Sequence, residues 1–122
     1  MANVLIADDE AHLADTLAEV LRGAGHEVRI AAGGTQALSL AGELSPDLLI
    51  SDWALGGPPD GIDLIEQMRM TRPRMRAILM TGYSSARLRA WAENDPALGM
   101  LEKPFSLAEF RALVARMLRP PA

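Results

Sequence analysis

Three aspartates, one threonine and the only lysine among twelve basic side chains are the residues of this 122-residue chain that could do chemistry together. Asp8 and Asp9 follow the apolar run Val4–Ala7. Asp52 follows the run in Asp47–Ser51, Thr81 follows Ala77–Met80, and Lys103 stands two residues past Leu98–Leu101. Each therefore sits just beyond a short segment of buried-strand type. Two carboxylates about 4 Å apart repel by roughly 4 kcal/mol at an effective dielectric near 20. Three that converge need protonation or a cation. Lys103 supplies one positive charge. A hard divalent ion supplies two and prefers oxygen ligands. With no cysteine and only two scattered histidines, Mg²⁺ is the natural ion, bound by one or two carboxylates, retained waters and a substrate phosphate. A carboxylate beside Mg²⁺, a lysine and a threonine hydroxyl is a phosphoryl acceptor site. Aspartate can act as a covalent nucleophile toward phosphorus, and the transfer needs positioning and charge neutralisation more than a strong base. A compact ammonium on a flexible stem suits that task better than a planar guanidinium.

The elements that would position these groups are read from periodicity. After Val4–Ala7, Leu13, Leu17, Val20, Leu21 and Ala24 recur at helical spacing, and Gly25 closes that helix. His26–Ala31 alternates polar and apolar residues, which predicts a strand with one wet face at a sheet edge. Further helices are predicted at Thr35–Leu44, Asp60–Met70, Ser84 to about Asn94, and Ser106–Leu118. Serines stand ready to cap the fourth, and Ser106 with Glu109 fits a capping box. Pro120 and Pro121 would stop the last helix. Strand and helix thus alternate five times, an α/β (βα)₅ pattern with a doubly wound parallel sheet covered on both faces. Ligands of such sheets bind beyond the carboxyl ends of the strands, at the switch point in strand order. Four of the five predicted strand ends carry polar groups. The edge strand, ending in Ala31-Ala32, does not.

Bulk properties narrow the class. The length is that of one domain. Apolar residues make up 49% and charged residues 23%, with a net charge of −4, an ordinary globular balance in which direct nucleic-acid binding is not expected. Without cysteine there is neither a disulfide nor a thiolate metal site. MANVLIADDE lacks the basic start and long apolar run of a signal peptide or membrane span, so a cytoplasmic location is expected.

The motifs VLIADDE, DLLISDWAL, DGIDLI, ILMTG and LEKPF stand in this order along nearly the whole chain. In them the sequence resembles the receiver domain of bacterial two-component response regulators. The resemblance implies one receiver domain over 1–122, with the flavodoxin-like strand order 2-1-3-4-5. Asp52 would be the phosphoacceptor. Asp9 would bind Mg²⁺ directly, Asp8 would act through a water, and Asp52 and the backbone carbonyl of Ala54 would complete the protein ligands. Thr81 and Lys103 would contact the phosphoryl group, and a cis Lys103-Pro104 peptide would aim the lysine inward. The donor would be a sensor histidine kinase or histidine phosphotransfer protein. A downstream protein would bind the face of the fourth helix, fifth strand and fifth helix. Such a domain accepts a phosphoryl group and slowly releases it, and does not turn over an external substrate. Three departures stand out. Met100 occupies the position where the family often has an aromatic switch residue. The loop WALGGPPDG is one residue longer than the common pattern, with Gly56 where proline is frequent. Ala54 and Tyr83 lie at positions that influence phosphoryl lifetime, and Tyr83 would shield the site.

Simpler roles are open to many of these residues. One of Asp8 and Asp9 could merely favour a helix N-terminus. Glu10 and Glu102 read as surface or capping residues, His12 and His26 as surface residues. Leu88 and Trp91 read as packing, and Trp53 as loop packing or a reporter of the site. Competing functions are a flavodoxin-like cofactor domain, an aspartyl phosphatase, and a degenerate receiver serving only as a protein-interaction module. The first needs a phosphate-cradling loop after the first strand, where this chain has Asp-Asp-Glu. The second would place its nucleophile after the first strand rather than the third.

Overall fold

The computed structural model describes residues 1–119. Among them five strands and five helices alternate: β1 (Asn3–Ala7), α1 (Ala11–Gly23), β2 (Glu27–Ala31), α2 (Gly34–Leu44), β3 (Leu48–Asp52), α3 (Gly61–Thr71), β4 (Arg76–Thr81), α4 (Ala86–Glu93), β5 (Leu98–Glu102) and α5 (Leu107–Leu118). The strands are parallel and ordered β2-β1-β3-β4-β5. The (βα)₅ alternation and the edge position of the second strand are both as predicted. The helix stop expected at Pro120-Pro121 lies outside the described residues.

Period-two side-chain alternation splits the core into two layers. Val4, Ile6, Leu48, Ile50, Ile78 and Met80 pack under α1 and α5 with Leu17, Phe110 and Val114. Leu5, Leu49, Ala77 and Leu79 face α2, α3 and α4, meeting Ala41, Leu64 and Met68. Because both sheet faces are covered, the central strands read as unbroken apolar runs. In β2, Val28 is buried while Glu27 and Arg29 are exposed, as an edge strand allows.

The helix ends correct two sequence expectations. Ser106 caps α5, its Oγ accepting the Glu109 N–H at 3.0 Å. The reciprocal bond of a capping box is formed instead at α3, where Asp60 Oδ1 accepts the Asp63 N–H at 2.9 Å and Asp63 Oδ2 accepts the Asp60 N–H at 3.0 Å. His26 is not a free surface residue. It is half-buried, and its Nδ1 accepts the Ala2 N–H at 3.0 Å. Gly25 closes α1 as expected, with the Gly25 N–H bonded to the Arg22 carbonyl and the His26 N–H to Leu21.

Candidate functional site

The switch point lies between β1 and β3, where β1 is followed by a neighbour on one side and then by one on the other. The sheet ladder runs on past the strand ends and fixes the residues there. The Asp8 N–H donates to the Ala31 carbonyl at 3.0 Å, the Trp53 N–H to Met80 at 2.8 Å, and the Lys103 N–H to Thr81 at 2.7 Å. Asp52 is itself paired with Met80. Rigid backbone therefore carries Asp8, Asp52 and Lys103 to one mouth of the sheet.

Lys103 Nζ donates to Asp52 Oδ2 at 3.1 Å, lies 3.6 Å from Asp8 Oδ2, and reaches Glu10 Oε2 at 3.9 Å. The Lys103-Pro104 peptide is cis, as the family resemblance implied. Carboxylate oxygens of Asp8, Asp9 and Asp52 all lie within 4.8 Å of one another. Asp8 is buried, Asp52 half-buried and Asp9 exposed. Asp8 Oδ1 accepts the Glu10 N–H at 2.9 Å, but Asp8 Oδ2 is buried without a hydrogen-bond partner. Its 3.6 Å approach to Lys103 is an attraction between charges, too long for a hydrogen bond. Burial raises the Asp8 carboxyl above its ordinary value. The Glu10 N–H and Lys103 pull it back, while Asp52 and Asp9 push it further up. Burial works against the charge on Lys103, but the Asp52 hydrogen bond and the charges of Asp8, Asp52 and Glu10 outweigh it, so its pKa rises.

These donors fit a hard divalent cation. All are oxygens, and one is buried with no partner of its own. The loop between β3 and α3 runs beside them, since a Cβ on Gly56 would lie 3.9 Å from Asp9 Oδ2. Gly56 has φ +79°, which the proline frequent at this position could not adopt. Ala54 is exposed in the same loop.

Thr81 is buried at the end of β4, but its hydroxyl is turned to its own loop. Thr81 Oγ1 donates to the Tyr83 carbonyl at 2.8 Å and accepts the Tyr83 N–H at 3.1 Å. Tyr83 is 77% exposed, an open position for a residue expected to shield the site. Three contacts escaped the sequence reading. The Glu10 carboxylate joins the Lys103 cluster. The buried Ser51 hydroxyl donates to the Asp52 carbonyl at 2.9 Å. Gly61, the first residue of α3, packs so closely on the Asp52 carbonyl that a Cβ would collide with it and with Leu79. The Asp60-Gly61 pair was visible in DGIDLI, but its partner was not.

A parallel sheet in the order 2-1-3-4-5 with clustered acids and a lysine at its carboxyl end is the arrangement of a phosphoacceptor signalling domain. A family profile described as "Response regulator receiver domain" matches residues 4–115, and the chain belongs to this family. It is a receiver domain of two-component signalling. Over 115 residues it is 32% identical to the sporulation initiation phosphotransferase F of Bacillus subtilis, covering 94% of this chain and 92% of that protein. It is 32% identical over 126 residues to the DNA-binding transcriptional regulator NtrC of Azospirillum brasilense, covering 99% of this chain but only 26% of that longer protein. The non-phosphorylated HemR receiver domain of Leptospira biflexa superposes with a TM-score of 0.88 at 26% identity, covering 100% of this chain and 99% of that one. A Burkholderia pseudomallei response regulator, solved with a phosphorylated aspartic acid, a calcium ion and citrate, gives a TM-score of 0.80 at 32% identity over 96% of this chain and 66% of its own. These flavodoxin-like domains are mostly non-catalytic signalling modules that meet histidine kinases or phosphotransfer proteins and generally bind Mg²⁺ at an acidic pocket. Among the described residues, no helix is long and apolar enough to cross a membrane.

Proposed function

We propose that Asp52 is the phosphoacceptor of this receiver and that Asp8, Asp9, Asp52 and the Ala54 carbonyl form its Mg²⁺ site. The observation that carries this reading is the lysine ammonium lying between Asp52 and Asp8, 3.1 and 3.6 Å away, beside a third carboxylate. An Asp52 carboxylate oxygen attacks the phosphorus of a phosphohistidine on a sensor kinase or phosphotransfer protein. The new O–P bond forms as the P–N bond breaks, and the imidazole nitrogen keeps the electron pair and takes up a proton. Lys103 then exchanges part of its contact with the carboxylate for the phosphoryl oxygens, and Thr81 turns its hydroxyl proton toward them. Ser51 and Gly61 hold the Asp52 backbone so that its side chain projects into the mouth. Mg²⁺, when bound, supplies two positive charges against the phosphoryl oxygens. The presence of every acidic, hydroxyl and ammonium group this chemistry needs supports a working acceptor over a domain that only binds proteins. A phosphorylated aspartic acid in the similar Burkholderia regulator supports it too.

Downstream recognition fits the α4–β5–α5 face, which carries a concavity of ≈ 500 Å³ lined by Ser84, Arg89, Met100 and Arg116 among others. The test of the acceptor is mass spectrometry after incubation with a small-molecule phosphodonor and Mg²⁺. Wild type gains one phosphoryl group and Asp52→Asn gains none. Equal labelling of the two would remove Asp52 from the reaction. Lys103→Arg is expected to keep labelling and blunt the conformational response.

A further inference from the structure

The loop from Trp53 to Asp60, rich in glycine and proline, is anchored at both ends. At its start the Trp53 N–H donates to the Met80 carbonyl at 2.8 Å, and the Trp53 carbonyl accepts the Gly61 N–H at 2.9 Å. Leu55 is buried in the core layer that faces α2, α3 and α4. Ala54, whose carbonyl is the proposed Mg²⁺ ligand, is therefore bracketed by two fixed neighbours. At the far end Pro59 lies on Gly34, the buried first residue of α2. The approach is so close that a Cβ on Gly34 would overlap the Pro59 carbonyl oxygen and stand 2.6 Å from Pro59 Cγ. Asp60, the next residue, is held by the capping box of α3. Only Gly56, Gly57 and Pro58 span the exposed interval between Leu55 and Pro59, and Gly56 passes beside Asp9.

Resting on the Mg²⁺-site reading, we propose that Leu55 and the Pro59–Gly34 contact are positioning elements that set the size of the ion, so that the site takes Mg²⁺ in preference to Ca²⁺. Mg²⁺ demands near-ideal octahedral geometry at about 2.0–2.1 Å, whereas Ca²⁺ accepts looser arrangements at about 2.3–2.6 Å. Selection between them rests on cavity size and on how far the ligands can give. A side-chain carboxylate adjusts by turning about its own bonds. A backbone carbonyl has no such freedom and goes where its loop goes. The Ala54 carbonyl is thus the one proposed ligand whose distance must be held by packing. Part of that packing comes from α2, an element that supplies no ligand. A loop displacement of about 0.3 Å, the gap between the two ions' bond lengths, is enough to favour the larger one.

Gly34→Ala tests the contact directly. Gly34 lies in α2, where alanine is favoured over glycine, so the new methyl acts by pushing the Pro59 backbone away. Gly33→Ala is the control, since a Cβ there meets nothing within 4 Å and its φ is −157°. Amide NMR spectra titrated with MgCl₂ and with CaCl₂ at constant ionic strength give both affinities and show that each variant is folded. Wild type and Gly33→Ala are expected to prefer Mg²⁺ alike. Gly34→Ala is expected to lose on the order of tenfold in Mg²⁺ affinity and much less in Ca²⁺ affinity, so that their ratio falls. Pro59→Gly adds no bulk and slackens the same contact. It moves the ratio in the same direction, and it decides alone should Gly34→Ala not fold. A merely structural contact would lower the unfolding midpoint and leave the ratio where it was. An unchanged ratio in the folded variants therefore overturns the proposal. So does an equal fall in Gly33→Ala, or a wild type that binds Ca²⁺ as tightly as Mg²⁺. Wild-type spectra with no saturable shift at Asp9 and Asp52 under either ion would instead overturn the Mg²⁺ reading on which it stands.

Discussion

Asp60 and Asp63 at the start of α3, and Asp8, Asp9 and Asp52 at the strand ends, are both groups of carboxylates beside helix N-termini, and the fold treats them in opposite ways. Asp60 and Asp63 each accept the other's backbone N–H, so both charges are held by donors the helix would otherwise leave bare. The strand-end group is crowded instead. Two of its three carboxylates, Asp8 and Asp52, share Lys103 with Glu10, and one buried oxygen has no hydrogen-bond donor. The first arrangement stabilises folding. The second leaves negative charge uncompensated, as the proposed Mg²⁺ and phosphoacceptor site would need. Acidity alone therefore does not mark a site; acid left short of donors does.

The largest effect that tests this contrast is ligand binding. Mg²⁺ at a hundred times its Kd should raise stability by about 2.7 kcal/mol, read as a higher urea midpoint. Asp60→Asn should keep that increment and Asp9→Asn should lose most of it. Equal increments in both variants would show that the ion binds elsewhere. Next is Gly61→Ala, which forces a methyl against the Asp52 carbonyl and Leu79. We expect a loss of about 2 kcal/mol together with weaker Mg²⁺ binding, because the same contact seats Asp52, the proposed acceptor. An unchanged urea midpoint would mean that α3 shifts freely at its start.

A sharper version of the comparison predicts opposite signs. Asp60→Ala removes a cap and should cost about 1 kcal/mol. Asp8→Asn, measured without divalent ions, should stabilise on the order of 1 kcal/mol, the scale of one unpartnered buried acceptor. Two losses of equal size would erase the distinction between the groups.

The smallest effect is in pH. The folded-state pKa of Asp8 lies above its ordinary value of 3.8. Its contribution to stability is thus fully present below that value and lost as pH rises through the raised pKa. In metal-free protein the stability gap between Asp8→Asn and wild type should accordingly close on acidification and open again toward neutrality. Lys103 follows the same rule at the other end of the scale. Its raised pKa contributes stability that is complete below 10.5 and lost as pH climbs through the folded-state value. Denaturant midpoints across both windows check the two slopes.

Much of the site was legible before the fold. Asp8, Asp9, Asp52, Thr81 and Lys103 each follow an apolar run, and a parallel sheet lines up such positions at one edge. The edge strand was betrayed by the alternation Glu27, Val28, Arg29, Ile30. Where local pattern failed, the deciding partner was distant or the alternatives were equal. Ser106 and Glu109 have the letters of a capping box, yet the reciprocal bond formed at Asp60 and Asp63, which carry a less familiar pairing. His26 looked solvated because its partner, the Ala2 N–H, is 24 residues away.

Periodicity is local, so the sequence alone determined the alternation of strands and helices, the apolar faces that must be buried, and the placing of acids and one amine at strand ends. Proximity across the sheet is not local. Tertiary structure alone decided that Lys103 meets Asp52 across 51 positions, that Glu10 joins them, that one oxygen of Asp8 is left without a donor, and that the Thr81 hydroxyl holds Tyr83. Those outcomes depend on strand register and on which donors the packed backbone leaves within about 3 Å, and no window of neighbouring residues contains that information.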